Sequence, residues 1–313
     1  MKIGVALGSG SARGFSHIGI LEVLLENGIV PEVVAGCSIG SIVGAAYASG
    51  NLDRIKAEAL AINRLKWAQF FNPSFSFDRW INLKHMQMWL VKSGIARKRL
   101  IEDLDMPFGS VTCDLQTGKE IWCTEGPVFD AVWPSMAMPG VFPPVAGPDG
   151  RWLIDGGLVN PVPVSLCRAL GADIVIAVNL NADLLKAHCP IKKTASVSEI
   201  VKPKEKKTSD NALLNRVYQK AREIIPALNE KEEKELPEPP DFFSTIGHSV
   251  NIVQDRITRS RLAGDPPEII LAPRLGHIGL FETYRAEETI AEGRRCCERA
   301  LPQIMDLIEA NRA

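Results

Sequence analysis

The chain has no long apolar run, no excess of charge and few histidines, and each shortage removes a class of protein. No stretch of eighteen or more apolar residues occurs among the 313, so a membrane-spanning helix is not expected. With 36 Lys and Arg against 37 Asp and Glu the net charge is −1, which gives nucleic acid no electrostatic footprint. Seven cysteines, an odd number without C-x-x-C spacing and with Cys296 and Cys297 adjacent, argue against a disulfide framework or a zinc site. They fit reduced thiols in a cytoplasmic protein. No ligand cluster calls for a metal, and no cofactor is expected. The opening residues carry one lysine and an apolar stretch interrupted by Gly4, Gly8 and Gly10, which reads as a core strand and not as a signal peptide.

Only five histidines are present: His17, His85, His188, His248 and His277. A hydrolase of the usual α/β type carries an acid and then a late histidine, so His248 and His277 are the ones to weigh as a base. Neither is flanked by the turn chemistry that presents a catalytic imidazole, and both read as structural.

What the chain does have is a strand-to-helix serine. The apolar run Pro31–Ala35 leads into Gly36-Cys37-Ser38-Ile39-Gly40, and a small-residue helical stretch, Ser41–Tyr47, follows. This is the pattern of a nucleophile elbow. Its serine sits on a turn so sharp that the flanking Gly36 and Gly40 are needed, because any side chain there would meet neighbouring backbone. Cys37, just before the serine, reads as a packing residue whose side chain points away from the attack site.

A second glycine turn opens the chain. Lys2–Leu7 reads as a buried strand, Gly8-Ser9-Gly10-Ser11-Ala12-Arg13-Gly14 as a loop, and Ile18, Leu21, Leu24 and Leu25 as one face of a helix ended near Gly28. Unpaired N–H groups at such a helix start attract anionic oxygen. The spacing G-x-G-x-x-x-G is not the dinucleotide pattern, and no Lys-Ser/Thr ending of a P-loop is present. With a candidate nucleophile one strand later, an oxyanion hole is favoured over a phosphate cradle. Asp155, at the end of the apolar strand Trp152-Leu153-Ile154 and before Gly156-Gly157, is the best candidate base. A strand-end carboxylate of this kind faces a site at the carboxyl edge of a parallel sheet, although the local sequence alone fits a turn cap equally well.

Taken in order, Gly10-Ser11-Ala12-Arg13-Gly14, Gly36-Cys37-Ser38-Ile39-Gly40, Pro139-Gly140-Val141-Phe142-Pro143-Pro144 and Asp155-Gly156-Gly157 resemble the patatin-like phospholipases, and among them the small bacterial members. The resemblance spans Lys2–Asn179 and continues through Val250–Glu292. It implies a three-layer α/β fold, a Ser–Asp dyad with Ser38 as nucleophile and Asp155 as general base, and an oxyanion hole formed or supported by Gly10, Ser11, Arg13 and Gly14. It also implies a lipid or other acyl ester as substrate. Where the family's loop is usually a run of glycines, Ser9 and Ser11 stand here.

The remaining sequence fits a mostly parallel central sheet with helices on both faces. Residues 1–185 read as the catalytic core and 241–313 as the part that completes the same domain. Val111–Leu115 and Glu120–Thr124 read as a hairpin, Asn51–Leu65 as a helix, Pro163–Leu170 as a helix, Ile174–Val178 as a strand and Ala286–Ala310 as a closing helix. Aromatic and methionine side chains crowd Trp67–Trp89, either as a cap on the core or as the wall of an acyl-chain channel. The stretch 186–240 is charged and Pro-flanked and reads as a partly mobile insertion with one amphipathic helix over Ala212–Leu228. The leading expectation is a cytoplasmic serine lipid acyl hydrolase of the phospholipase A or lysophospholipase type, with peripheral contact at the inner membrane face as an option. The alternatives are a transacylase on the same dyad, a nucleotide-binding domain, and a catalytically weak regulatory or scaffold protein. Oligomeric state leaves no mark on the sequence.

Overall fold

The computed structural model describes residues 1–70, 81–184 and 242–311. The chain divides into two units, Met1–Ala187 with Phe243–Ala313, and His188–Phe242; the sheet and the helices packed on it belong to the first. The charged stretch 186–240, with its amphipathic Ala212–Leu228, lies outside the described residues, as does the aromatic-rich stretch 71–80.

Five strands form a parallel core in the order β3 (Phe108–Asp114), β2 (Val33–Cys37), β1 (Ile3–Leu7), β7 (Ile174–Val178) and β8 (Ile269–Leu271). β1 lies between β2 and β7, with Val5 opposite Val34 on one side and Ile176 on the other. Three more strands join through antiparallel pairings on the β3 side. β4 (Glu120–Cys123) and β6 (Trp152–Asp155) both pair with β3, and β5 (Val145–Ala146) pairs with β6. The expected parallel sheet therefore has an antiparallel flank. The β3–β4 hairpin explains part of it, since a tight turn at Gln116–Lys119 can join only antiparallel strands.

Strands buried on both faces read as continuous apolar runs, and their alternation sorts the side chains into two cores. Val5, Leu7, Val34, Ile176 and Val178 face one core, which is completed by helices α1 (Ser16–Glu26), α2 (Ile39–Ala48), α3 (Leu52–Leu60), α5 (Leu83–Lys92), α6 (Val128–Ser135) and α9 (Ala286–Ala310). Ala6, Val33, Ala35, Cys37, Val175 and Ala177 face the other, closed by Val164, Leu166 and Cys167 of α7 (Val164–Ala169). The other α-helices among the described residues are α4 (Arg64–Ala68) and α8 (Phe242–Gly264). The single helix expected over Asn51–Leu65 is instead two, α3 and α4. Asn63 starts the second by accepting the Lys66 N–H on its side-chain oxygen at 2.9 Å, so the local cap competes successfully with helix continuation.

Candidate active site

Register alone brings two strand tips together. β4 occupies one edge of β3 at Ser110–Cys113, so β2 and β6, which pair with the same strand, share the opposite edge. β2 climbs that edge and stops with Cys37 opposite Val111; β6 descends it and stops with Asp155 opposite Thr112. The two strands meet end to end, one register step apart. Asp155 thus faces a site at the carboxyl end of the parallel strand β2, although its own strand is antiparallel. An antiparallel strand delivers it to a gap partway along β3, where β2 has ended.

Ser38, the next residue after β2, has φ +54° and ψ −123°, a backbone conformation that costs a non-glycine residue roughly 1–3 kcal/mol and persists only where its surroundings impose it. The surroundings do. A Cβ on Gly36 would lie 2.5 Å from Ser41 Cα, and one on Gly40 would lie 2.0 Å from the Leu7 carbonyl oxygen, so α2 is pressed against its own strand and the end of β1. The Ser38 N–H donates to Ser135 Oγ at 3.0 Å, and the Ser135 hydroxyl donates to the Val111 carbonyl at 2.7 Å. Ser135, at the end of α6, ties the elbow to β3, and nothing in its local sequence marks it out. Ser135→Ala is expected to leave two buried backbone groups unpaired and to cost about 2 kcal/mol in chemical denaturation. Because the bond holds Ser38, a roughly tenfold fall in kcat on an ester is expected with it; unchanged values of both would show that the tie is idle.

The Ser38 hydroxyl donates to Asp155 Oδ2 at 2.6 Å, across 117 residues of sequence. The other oxygen, Oδ1, accepts the Gly157 N–H at 2.7 Å. Asp155 is 2% exposed, and burial raises its pKa to about 6 from an ordinary 3.8, against the opposing pull of the Ser38 and Gly157 hydrogen bonds. Gly156 and Gly157 make that approach feasible: side chains there would collide with the Val111 carbonyl at 2.2 Å and with Gln254 Nε2 at 2.3 Å.

The structure sorts the four loop residues into different places. Gly10 and Ser11 line the same cavity as Ser38 and Asp155. Arg13 lies behind them, fully buried, with Nε donating to the Gly10 carbonyl at 3.1 Å and Nη2 to Asn251 Oδ1 at 3.1 Å. Burial pulls its pKa down to about 10, so it stays charged at neutral pH. Gly14 packs under Ile39, whose Cγ1 a Cβ would meet at 2.2 Å. Because a trans peptide is planar, the Gly10 carbonyl turned toward Arg13 sends the Ser11 N–H the opposite way. Ser11 itself has φ +54°, the conformation that glycine adopts without strain.

Among the described residues no histidine lines the cavity. His17 is buried against the Gly8 carbonyl at 2.8 Å with its pKa pulled down to about 4 by desolvation. His277 pairs with Glu288 at 2.7 Å on the surface, and His85 and His248 are exposed. Cys37 is fully buried in the second core, where desolvation drives its thiol pKa well up.

From Ser38 the cavity extends into an apolar space of about 950 Å³, its mouth included. Trp67, Phe70, Met86 and Trp89 contribute from the aromatic-rich segment, and Met138, Val141 and Phe142 from the Pro139–Pro144 motif and its approach. Trp67 packs edge-on against Tyr284 and donates its indole N–H to the Phe281 carbonyl. α8 adds Val250, Asn251 and Gln254, with Gln254 donating to Ser9 Oγ at 3.1 Å. The α8 side chains escaped sequence reading because their partners in the glycine loop are about as far away in the chain as residues can be. Among the described residues no group of metal-ligating side chains is found.

Comparison with known proteins finds relatives of this chain. An uncharacterised NTE family protein of Mycobacterium bovis is 29% identical over 340 residues, covering 96% of this chain and 91% of its own length. Patatin-like phospholipase domain-containing proteins of Caenorhabditis elegans and of mouse are 36% and 33% identical, each over 58% of this chain and 14% of theirs. The solved structure of VipD from Legionella pneumophila aligns at 12% identity and a TM-score of 0.48, over 96% of this chain and 67% of that one. The family model for patatin-like phospholipase matches residues 5–168. That matched stretch holds the glycine loop, the strained Ser38 turn and Asp155 together, and the chain accordingly belongs to the patatin-like phospholipase family.

Proposed function

We propose that this protein is a serine lipid acyl hydrolase working through a Ser38–Asp155 dyad and an acyl-enzyme. The family supports lipid acyl hydrolysis. The observation that carries the finer reading is the 2.6 Å hydrogen bond from a strained, cavity-lining serine to a buried aspartate.

Ser38 Oγ attacks the ester carbonyl carbon as its proton passes to Asp155 Oδ2, and the carbonyl electron pair moves onto oxygen. The Ser11 N–H, turned away from Arg13, is the leading donor to that oxyanion, and Gly10 lines the same wall. The start of α2 adds positive potential beside it. Arg13 acts as a positioning residue by holding the Gly10 carbonyl. Collapse breaks the ester bond, and the departing alkoxide takes the proton back from Asp155. Water then attacks the acyl-enzyme, passes its proton to Asp155 and releases the acid, and the proton returns to Ser38. The acyl chain occupies the apolar cavity, and the reaction requires no metal.

An unperturbed aspartate is a poor match for a serine proton, and raising its pKa to about 6 makes it a better base while leaving it ionised at neutral pH. A fluorophosphonate probe is therefore expected to label Ser38, with a rate that falls about tenfold per pH unit below pH 6 and levels off above it. Labelling retained in Ser38→Ala, or a rate flat from pH 4 to pH 8, would overturn the assignment.

A further inference from the structure

The wall of the acyl cavity has an outer face that the catalytic reading leaves unused. Between Ala59 and Ile101 the chain carries eight Lys or Arg and a single acidic residue, Asp78, although its overall net charge is −1. The cations are thus concentrated on the segment that also supplies Trp67, Phe70, Met86 and Trp89 to the cavity.

Helix α5 shows the arrangement most clearly. Met86 and Trp89 line the cavity and Leu90 is fully buried, which defines the inner face. Lys84, Met88, Val91 and Lys92 follow at spacings i, i+4, i+7 and i+8 and so form one stripe on the opposite side. Met88 is 51% exposed and Val91 37%, with an exposed lysine at each end of the stripe. α4 repeats the pattern on a smaller scale. Arg64 lies over the Tyr284 ring at 4.7 Å and Trp67 packs against the same ring at 6.0 Å, so that side is anchored. Leu65 is left outward at 79% exposure beside Lys66. A lone exposed leucine needs no explanation. Here exposed apolar side chains recur on two helices, each beside lysines, on the very elements that bound the cavity.

Resting on the lipid-hydrolase reading, we propose that the outer faces of α4 and α5 dock this enzyme on an anionic lipid surface. Leu65, Met88 and Val91 would enter the headgroup boundary, while Lys66, Lys84 and Lys92 extend their stems along it and place their ammonium groups at lipid phosphates. The composition favours lipid over a protein partner, because protein interfaces are depleted in lysine and rely on aromatics and arginine.

The test is sedimentation of the full chain with vesicles of phosphatidylcholine alone and with vesicles in which phosphatidylglycerol replaces part of it. Binding is expected to the anionic vesicles, weakening as salt is raised. Lys84→Glu with Lys92→Glu, and separately Met88→Ser with Val91→Ser, should each reduce it about tenfold or more. Both variants should hydrolyse a dispersed short-chain ester at the wild-type rate, which shows that the cavity and the fold are intact. Equal binding to both vesicle types, no binding to either, or binding that survives both variants would overturn the proposal. So would size-exclusion chromatography showing a dimer that the lysine variant separates, since the face would then belong to a second copy. Loss of ester hydrolysis in the wild type would instead count against the Ser38–Asp155 reading and leave the vesicle result to stand alone.

Discussion

Asp155→Asn is expected to lose about a thousandfold in ester hydrolysis and yet to melt at a higher temperature than the wild type at pH 7. The activity loss follows from removing the group placed to take the Ser38 proton at 2.6 Å. The stability gain follows from burial. Folding raises the pKa of Asp155 from an ordinary 3.8 to about 6, so the folded state prefers the protonated, neutral form. That contribution to stability is complete below pH 4, where the carboxyl is neutral folded or unfolded, and it is lost as pH rises through 6. Above that point the ionised carboxylate costs about 3 kcal/mol. Asparagine keeps the shape and stays neutral. Its oxygen can accept from Gly157 and its NH2 can donate to Ser38 Oγ, whose own proton must then turn toward the cavity. The difference in melting temperature between variant and wild type should thus be near zero at pH 4 and grow to its maximum above pH 6. A difference independent of pH, or a variant less stable than wild type at pH 8, would refute the account of a carboxylate held at a cost for catalysis.

Gly40→Ala is expected to be among the most damaging single-methyl additions in the molecule. The new Cβ would lie 2.0 Å from the Leu7 carbonyl oxygen, 2.5 Å from its carbon and 2.9 Å from the Gly8 oxygen. All three are backbone atoms at the end of β1, so no side chain can swing aside and α2 must move as a body. A loss of roughly 3 kcal/mol or more is expected in chemical denaturation. Displacing Ser38 by about 1 Å should cost about a hundredfold in kcat/KM for whatever protein still folds. Gly28→Ala is the control. That glycine has φ +71° but open space around it, so the change should cost only about 1 kcal/mol of backbone strain and leave hydrolysis alone. Gly40 lies in α2 without a positive φ, so an effect no larger than that of Gly28→Ala would mean that the contact of α2 with β1 yields at little cost.

Much of the fold was legible because its signals are local. Ile174–Val178 and Ala286–Ala310 have the very bounds their apolar patterns indicate, and β1 and β2 follow from short apolar runs that end in glycine turns. The turn chemistry around Gln116–Lys119 likewise announced the β3–β4 hairpin. Less legible was the break between α3 and α4. Residues 51–65 keep a helical pattern throughout, and the outcome turned on a single side-chain oxygen at Asn63.

The candidate site divides along the same line. Gly36, Ser38 and Gly40 fall within one short turn, and a chain that must pass from strand to helix so abruptly writes its steric requirement into adjacent residues. Asp155 could be singled out as a strand-end carboxylate, but whether it capped a turn or met the serine depended on β6 running antiparallel down the same edge of β3 that β2 climbs. Ser135, Asn251 and Gln254 carry no local mark at all, yet they hold the elbow and the glycine loop. Local sterics and hydrophobic periodicity act between neighbours in the chain, so the sequence by itself determined the strands, the turns and the strained serine. Pairing register and burial act between residues a hundred or more positions apart. Only the tertiary structure therefore decided which carboxylate reaches Ser38, how far desolvation raises its pKa, and which way the Gly10–Ser11 peptide faces.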